Sequence, residues 1–369
     1  MEAPLFASVE EMLSPNGLAR ILGGQVESVE VGPLDVEHYS GNTLEQVRVR
    51  RGGATTSFVL KRFSLEHDWI MRLTHDYAVR EVALFRGGVF RRLPGECWVP
   101  IVAAARNGQS WTSLMVDVSD FLIPSSLAPL PIHDLRRYLN HLAAAHARFM
   151  GDESLLEPAL GLSSLEDFIL ILSAPTVRRE VEQGRTHVVL EMAVRGWEIF
   201  EAVAKPEAVQ VIKNAQQDLG PLLRALAHSP HTLVHGDFKL ANLGSWSQPL
   251  PRETGEGLRT IMLDWQDATC GPPLLDIAYF LAVNSTRLPV SKGEAVRMYR
   301  ASLAAHGYAY TDEVWARDLG VGLLAGGAMR LGWQKALGTQ SEDLAARTKG
   351  NGELRWWSEQ IVRAGRWLK

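Results

Sequence analysis

The stretch "LVHGDFKLANLG", residues 233 to 244, sets a His, an Asp, a Lys and an Asn within eight positions of otherwise apolar sequence. Short polar side chains such as those of Asp237 and Asn242 can bond neighbouring backbone groups and stabilise a turn. Taken alone, the stretch therefore reads as well as a capped turn as it does as a reaction site. What separates the two readings is whether the rest of the chain supplies partners for these four side chains.

At 369 residues the chain exceeds an average single domain, so one or two cores are expected. Its 38 Lys plus Arg stand against 42 Asp plus Glu, a formal charge of -4 with no long like-charged block. That balance argues against a nucleic-acid partner. Cys97 and Cys270 lie far apart with no second thiol near either, so neither a disulfide scaffold nor a thiolate metal site is expected, and a reducing cytoplasm fits. "MEAPLFASVEEML" carries acids where a secretory leader needs a basic region and a continuous apolar run, so no export is expected. "LGVGLLAGGAM" (319–329) falls short of the roughly 20 residues a membrane span needs. It reads as a buried helix, and no membrane partner is expected.

A helix is expected over 15–22, opened by Ser14 and Pro15. "QVESVEVGPLD", "LEQVRVRRG" and "TSFVLKRF" then alternate polar with branched or apolar residues between Gly, Pro and Asn breakers, the signature of an antiparallel meander. "DYAVREVALFRGGVFRRL" carries Val79, Val82, Phe85 and Val89 at helical spacing, and "WVPIVAAAR" and "WTSLMVDV" return to strands. From about residue 125 the pattern is helical, with Leu135, Leu139, Leu142 and Phe149 forming one stripe; "HTLVHGDF" and "RTIMLDW" are short strands within it. "SQPLPRETGEG" (247–257) reads as a polar surface loop. The expected class is α+β, a β-rich front part and an α-rich back part.

Three further polar positions share the chain with the opening stretch. Lys61 ends the apolar run of "FVLKRF", Glu81 lies on the helix that follows, and Asp264 ends "TIMLDW", twenty-two residues after Asn242. Each has a plain structural reading: a snorkelling lysine, a solvent-facing glutamate, a turn aspartate. Together they fall in the order that nucleotide-dependent phosphoryl transfer uses, and Asp237 and Asn242 keep the Asp-x4-Asn offset of its catalytic loop. That chemistry needs positive charge on phosphates and carboxylates on magnesium more than it needs covalent help from the protein.

On "VLK", "REVALFR", "LMVDV", "LAAAHARF", "HGDFKLAN", "LDWQDA" and "PLLDIAYFL" the chain resembles the aminoglycoside phosphotransferase and choline kinase superfamily over about residues 20 to 285. The resemblance implies a bilobal protein-kinase-like fold, with an N-terminal nucleotide-binding lobe over 1–117 and a helical catalytic and substrate-binding lobe over 118–369. It implies ATP and Mg2+ as cofactors. Lys61 would grip the α- and β-phosphates, held by Glu81; Asp237 would be the base; Asn242 and Asp264 would bind the metal. Adenine would lie along Met115 to Val118, on backbone groups of Val116 and Val118, and "YSGNT" would supply Ser40, Gly41 and Asn42 to the phosphates. Lys239 stands where protein kinases carry a lysine that can neutralise the transferred phosphoryl group. Asp276 would brace the catalytic loop, with His235 and His146 as framework.

Asp276 follows Asp264 by only twelve positions, too few for a peptide-docking activation segment, and Gly236 replaces the arginine of H-R-D. The expected acceptor is therefore a hydroxyl of a small molecule. Residues 265–369 hold 10 Asp plus Glu against 13 Lys plus Arg, which tilts against a polycationic antibiotic, whereas Trp315, Trp333, Trp356, Trp357 and Trp367 would suit a partly apolar compound if they line its site. "DWQ" also resembles the ecdysteroid-kinase-like branch. The alternatives are a nucleotide-binding regulator without catalysis and an antibiotic-inactivating kinase.

Overall fold

Alternation between residues 43 and 62 becomes a sheet in the computed structural model, which describes residues 4–34, 41–126, 128–185, 187–247 and 258–368. Among the described residues the strands are β1 Leu5–Phe6, β2 Ser28–Pro33, β3 Thr43–Arg51, β4 Ala54–Arg62, β5 Cys97–Trp98, β6 Ile101–Asn107, β7 Ser110–Val116, β8 Thr232–Val234, β9 Leu243–Trp246, β10 Arg259–Met262 and β11 Thr269–Gly271. The chain divides into two compact units. The first takes the described residues of Met1–Ser125, Leu156–Leu162 and Ala241–Gln266; the second takes those of Ser126–Leu155, Ser163–Leu240 and Asp267–Lys369.

In the first unit six strands form one sheet in the order β1-β6-β7-β4-β3-β2. Pairing is antiparallel except where β1 joins β6 in parallel. Successive side chains of a strand point to opposite faces. In β4 this sends Phe58 and Leu60 into a core with Val47, Val49 and Leu114, which also takes in Met12 and Leu18 of the helices Val9–Leu13 and Pro15–Leu22. Each fully buried Leu or Phe there contributes about 1.5–3 kcal/mol over an exposed one. Val59 and Lys61 consequently face the other way. The Ser14 hydroxyl accepts from Gly17 N–H at 3.0 Å and opens the second helix where the sequence expects it. A smaller sheet, β5-β10-β9, completes the unit and carries the chain toward Asp264.

The helix bearing Glu81 is shorter than its apolar spacing suggests and spans Arg80–Arg86. Val79 lies outside it in the left-handed region at φ 56°, because the buried Asp76 carboxylate accepts the Arg80 N–H at 2.7 Å and starts the helix there. Gly88, at φ 72°, follows the helix end. Val79 and Val82 still pack against Phe63, Met71 and Trp111.

The second unit is mostly helical. The stripe of Ile132–Phe149 is buried as its spacing requires, and Leu274–Val283 is apolar enough to lie within the core. β8 and β11 pair antiparallel beside them. The 319–329 run is buried as expected, but Leu323–Ala328 is π-helical, with Gly326 against the Leu275 backbone and Gly327 against the Trp357 ring. Trp315, Trp333 and Trp357 are core residues; of the other two tail tryptophans, Trp356 meets Trp357 edge to face and Trp367 is 39% exposed. The protein is thus α+β, an N-terminal six-stranded sheet followed by a larger helical part. No helix among the described residues is long and apolar enough to cross a membrane. Residues 248–257 of the expected polar loop lie outside the described residues.

Burial pushes the Asp76 carboxyl up from 3.8 to about 6, against the downward pull of Arg80. A carboxyl raised by folding contributes stability that is present below pH 3.8 and lost as pH rises through about 6. Urea unfolding should therefore show Asp76→Asn gaining up to about 3 kcal/mol on the wild type between pH 4 and pH 7. A stability difference that does not change with pH would contradict this.

Candidate active site

Lys61 is 7% exposed, with its ammonium 3.1 Å from Glu81 Oε2 and 3.0 Å from Asp264 Oδ1. Burial alone would lower its pKa; the two carboxylates, Asp264 first, outweigh burial and raise it. Glu81 Oε2 also accepts the Trp265 N–H at 3.2 Å. Burial nonetheless pushes the Glu81 carboxyl up, against the opposing pull of Lys61. One glutamate thus ties the strand lysine to the backbone just after Asp264.

Neighbouring groups fix this arrangement. The buried Arg80 guanidinium donates to the carbonyls of Gln266, of Gly161 at 2.6 Å and of Thr74 at 3.2 Å, holding the Glu81 helix to the segment after Asp264. Asp264 sits at φ 64°, a left-handed conformation that Asp tolerates better than most residues. The preceding Leu263 N–H donates to the Asn242 carbonyl at 2.9 Å, which sets Asn242 beside Asp264. The Gln266 amide accepts from Asn42 Nδ2 and donates to Asp68 Oδ2, both at 2.9 Å. Gly41 is required next to Asn42, since a Cβ there would come within 2.0 Å of the His67 carbonyl oxygen. Ser40 lies outside the described residues.

These groups surround a cavity of about 280 Å3 in the first unit. Leu44, Val59, Ile101, Met115, Val118 and Leu263 line it with apolar surface, while Asn42, Lys61, Glu81, Asn242 and Asp264 supply the polar lining. The expected backbone groups differ in availability: the Val116 N–H is committed to the Pro100 carbonyl at 2.9 Å. Among the described residues, no group of three or more His, Cys, Asp or Glu side chains is arranged to hold a metal. Asn242 and Asp264 nevertheless offer the oxygen donors that a hard divalent cation takes, and magnesium commonly relies on one or two protein groups plus phosphate and water.

The second unit holds Asp237 and Lys239. Their side chains are 2.6 Å apart, and the buried Tyr279 hydroxyl hydrogen-bonds Asp237. The wholly buried Asp276 carboxylate accepts the backbone N–H groups of His235 and Gly236, each at 2.8 Å, and pairs with His146 Nε2 at 3.0 Å. Burial would raise its pKa, but these hydrogen bonds and the His146 ring outweigh it and hold the carboxyl below its ordinary value. Gly236 is at φ 84°, and a Cβ there would lie 2.2 Å from the Asp267 carbonyl oxygen, so only glycine fits where protein kinases carry arginine. Arg330 donates to the Gly236 carbonyl at 2.5 Å and pairs with the Asp267 carboxylate, its guanidinium stacked over the Phe168 and Tyr279 rings.

Of the residues expected from the sequence, Lys61, Glu81, Asn242 and Asp264 come together in the first unit, and Asp237 and Lys239 in the second. Arg80, Tyr279 and Arg330 were not among those expected. The signal for Arg330 was a lone cation after the apolar run "LLAGGAM", because a charge on a buried helix needs a partner.

A strand lysine held by a helix glutamate, in a chain that also carries an Asp-x4-Asn stretch, points to a kinase-like phosphotransferase. Residues 39–316 match the model of the phosphotransferase enzyme family, and the chain belongs to that family. It is a small-molecule phosphotransferase. Its fold is similar to that of an ethanolamine kinase from Plasmodium vivax, with a TM-score of 0.51 and 13% identity over 96% of this chain and 88% of that one. It is also similar to a choline kinase from Streptococcus pneumoniae (TM-score 0.47, 10% identity, 94% and 99% covered). A third similar structure is a spectinomycin phosphotransferase in complex with ADP and spectinomycin (TM-score 0.46, 11% identity, 95% and 97% covered). No curated protein matches the chain.

Replacing Asp276 by Ala leaves two buried N–H groups and His146 without their acceptor. Chemical denaturation should show a loss of about 3–5 kcal/mol, larger at pH 7 than at low pH because a carboxyl lowered by folding loses its contribution as pH falls. A loss below 1 kcal/mol would mean that Asp276 is not the brace.

Proposed function

We propose that the protein transfers the γ-phosphate of ATP, with Mg2+, to a hydroxyl of a small molecule. The observation that carries this reading is the buried Lys61 ammonium, held by Glu81 and Asp264 at the polar lining of an apolar cavity. The apolar walls suit an adenine ring, and the Val118 N–H and the Val116 carbonyl are the backbone groups to orient it. Lys61 binds the α- and β-phosphates, and Glu81 keeps its ammonium on them. Asn42 and Gly41 would cover the phosphates.

Asn242 and Asp264 are the residues to hold Mg2+, which when bound neutralises charge on the phosphate oxygens. Asp264 would give up its bond to Lys61 in holding the metal, which its partly exposed side chain, 29%, allows. Asp237 orients the acceptor hydroxyl and takes its proton as the acceptor oxygen bonds to the γ-phosphorus and the bond to the β–γ bridging oxygen breaks. Lys239, on Asp237 in the free protein, offsets charge on the moving phosphoryl group. Asp276 and Arg330 keep the loop backbone in place.

The acceptor is proposed to be other than a polycation. The charge count of residues 265–369 leans basic, and Lys239 and Arg330 put cations beside Asp237. Incubation with ATP, Mg2+ and a broad panel of hydroxyl compounds should turn over some member. Asp237→Asn should lower that turnover by a factor of about 10²–10⁴ while ADP binding persists. Full activity of Asp237→Asn would remove Asp237 from the role of base.

A further inference from the structure

β7 ends at Val116, which lines the nucleotide cavity together with Pro100. In an antiparallel ladder, opposite residues alternate between a pair that exchanges two N–H to carbonyl bonds and a pair that exchanges none. On the β4 side Val116 stands opposite Phe58, and the next N–H, that of Asp117, donates to the Ser57 carbonyl at 3.1 Å. Val116 and Phe58 are therefore a pair without bonds, and Val116 turns its N–H and carbonyl toward the β6 side.

On that side Met115 stands opposite Ile101, and the Val116 N–H donates to the Pro100 carbonyl at 2.9 Å. This bond is one half of a two-bond pair. The other half would run from the N–H of residue 100 to the Val116 carbonyl, and proline has no N–H to give. Among the described residues no loop N–H takes its place. Pro100 thus leaves the ladder one bond short, with an acceptor open at the wall of the cavity.

An unpaired carbonyl next to an apolar cavity calls for a donor. Two residues on, the Val118 N–H offers the opposite polarity. Adenine matches this acceptor and donor with its 6-amino group and its N1 lone pair. Guanine and hypoxanthine present the reverse, a carbonyl oxygen at C6 and an N–H at N1, so acceptor would face acceptor and donor would face donor. A site built around one hydrogen-bond pattern rejects the reverse pattern strongly, because its own polar groups are left unpaired.

We propose that Pro100 is a specificity-determining residue: by withholding an N–H from the ladder it keeps the Val116 carbonyl open to the 6-amino group, and the site selects adenine over guanine and hypoxanthine nucleotides. The inference rests on the nucleotide reading given above and deepens it by naming what reads the base. Restoring the N–H closes the ladder. In Pro100→Ala the new amide donates to the Val116 carbonyl, and the 6-amino group has to share that acceptor or forgo it.

Titration calorimetry of the full chain with ADP and with inosine diphosphate, each with Mg2+, tests it. The wild type should bind ADP about tenfold or more tighter than inosine diphosphate. Pro100→Ala should bind ADP about fivefold more weakly and inosine diphosphate no more weakly, so the ratio between them falls. Damage to the fold would weaken both alike. Thermal unfolding should place the variant within about 4 °C of the wild type, because the hydrogen bond gained offsets the proline lost. Hydrogen exchange should show the new amide at position 100 protected in the nucleotide-free variant, which reads the ladder alone. Equal affinity of the wild type for the two nucleotides, an unchanged ratio in the variant, or free exchange of that amide would overturn the proposal. Binding of neither nucleotide by the wild type would overturn the nucleotide reading and this selectivity with it, an outcome told apart by the absence of any binding heat.

Discussion

A lysine ammonium buried between two carboxylates is the constraint on which the first unit depends. Two unit charges about 4 Å apart attract by roughly 4 kcal/mol at a near-surface effective dielectric, and a buried charge without its partner destabilises strongly. Lys61 is drawn to Glu81 and Asp264 at 3.1 and 3.0 Å, so the strand, the short helix and the strand end that carry them are tied to one point. The period of two in β4 makes this geometry available, because the alternation that buries Phe58 and Leu60 on one face sends Lys61 to the other. Arg80, one residue before Glu81, adds a second set of bonds to the same segment through the Gln266 carbonyl.

The second unit solves a comparable problem with the opposite charge. Asp276 is a buried carboxylate made tolerable by two backbone N–H groups and His146, and those bonds define the backbone of the His235–Asp237 loop. Where a protein kinase carries an arginine within that loop, the chain has Gly236, whose left-handed backbone passes too close to Asp267 for any side chain. The guanidinium comes instead from Arg330, far along the sequence, and reaches both the Gly236 carbonyl and Asp267. Positive charge beside the His235–Asp237 loop thus comes from the helix that carries Arg330.

Much of this was legible in the sequence, for physical reasons. Lys61, Glu81, Asp237, Asn242 and Asp264 each read alone as ordinary structural residues, and they stood out by their order along the chain and by the Asp-x4-Asn offset. The alternation of β3 and β4 and the stripe of Ile132–Phe149 were likewise readable from their periods. Local pattern could not show that Val79 stays outside its helix, because the competing acceptor, Asp76, is a matter of three-dimensional placement. It also could not show the parallel pairing of β1 with β6, or the reach of Arg80 to Gly161 and of Arg330 to Gly236, which join residues 81 and 94 positions apart. The tail tryptophans were ambiguous for a related reason: large aromatic side chains suit a core as well as a ligand, and Trp315, Trp333 and Trp357 are in the core.

The central claim is that Lys61, Glu81 and Asp264 form the phosphate and metal end of a nucleotide site. A crystal structure with a non-hydrolysable ATP analogue and Mg2+ tests it most directly. The expected result places the adenine among Val59, Met115 and Leu263, the phosphates on Lys61, the metal on Asn242 and Asp264, and the Lys61–Glu81 pair intact. A nucleotide bound outside this cavity, or one bound within it while Lys61 stays on Asp264 and touches no phosphate, would contradict it.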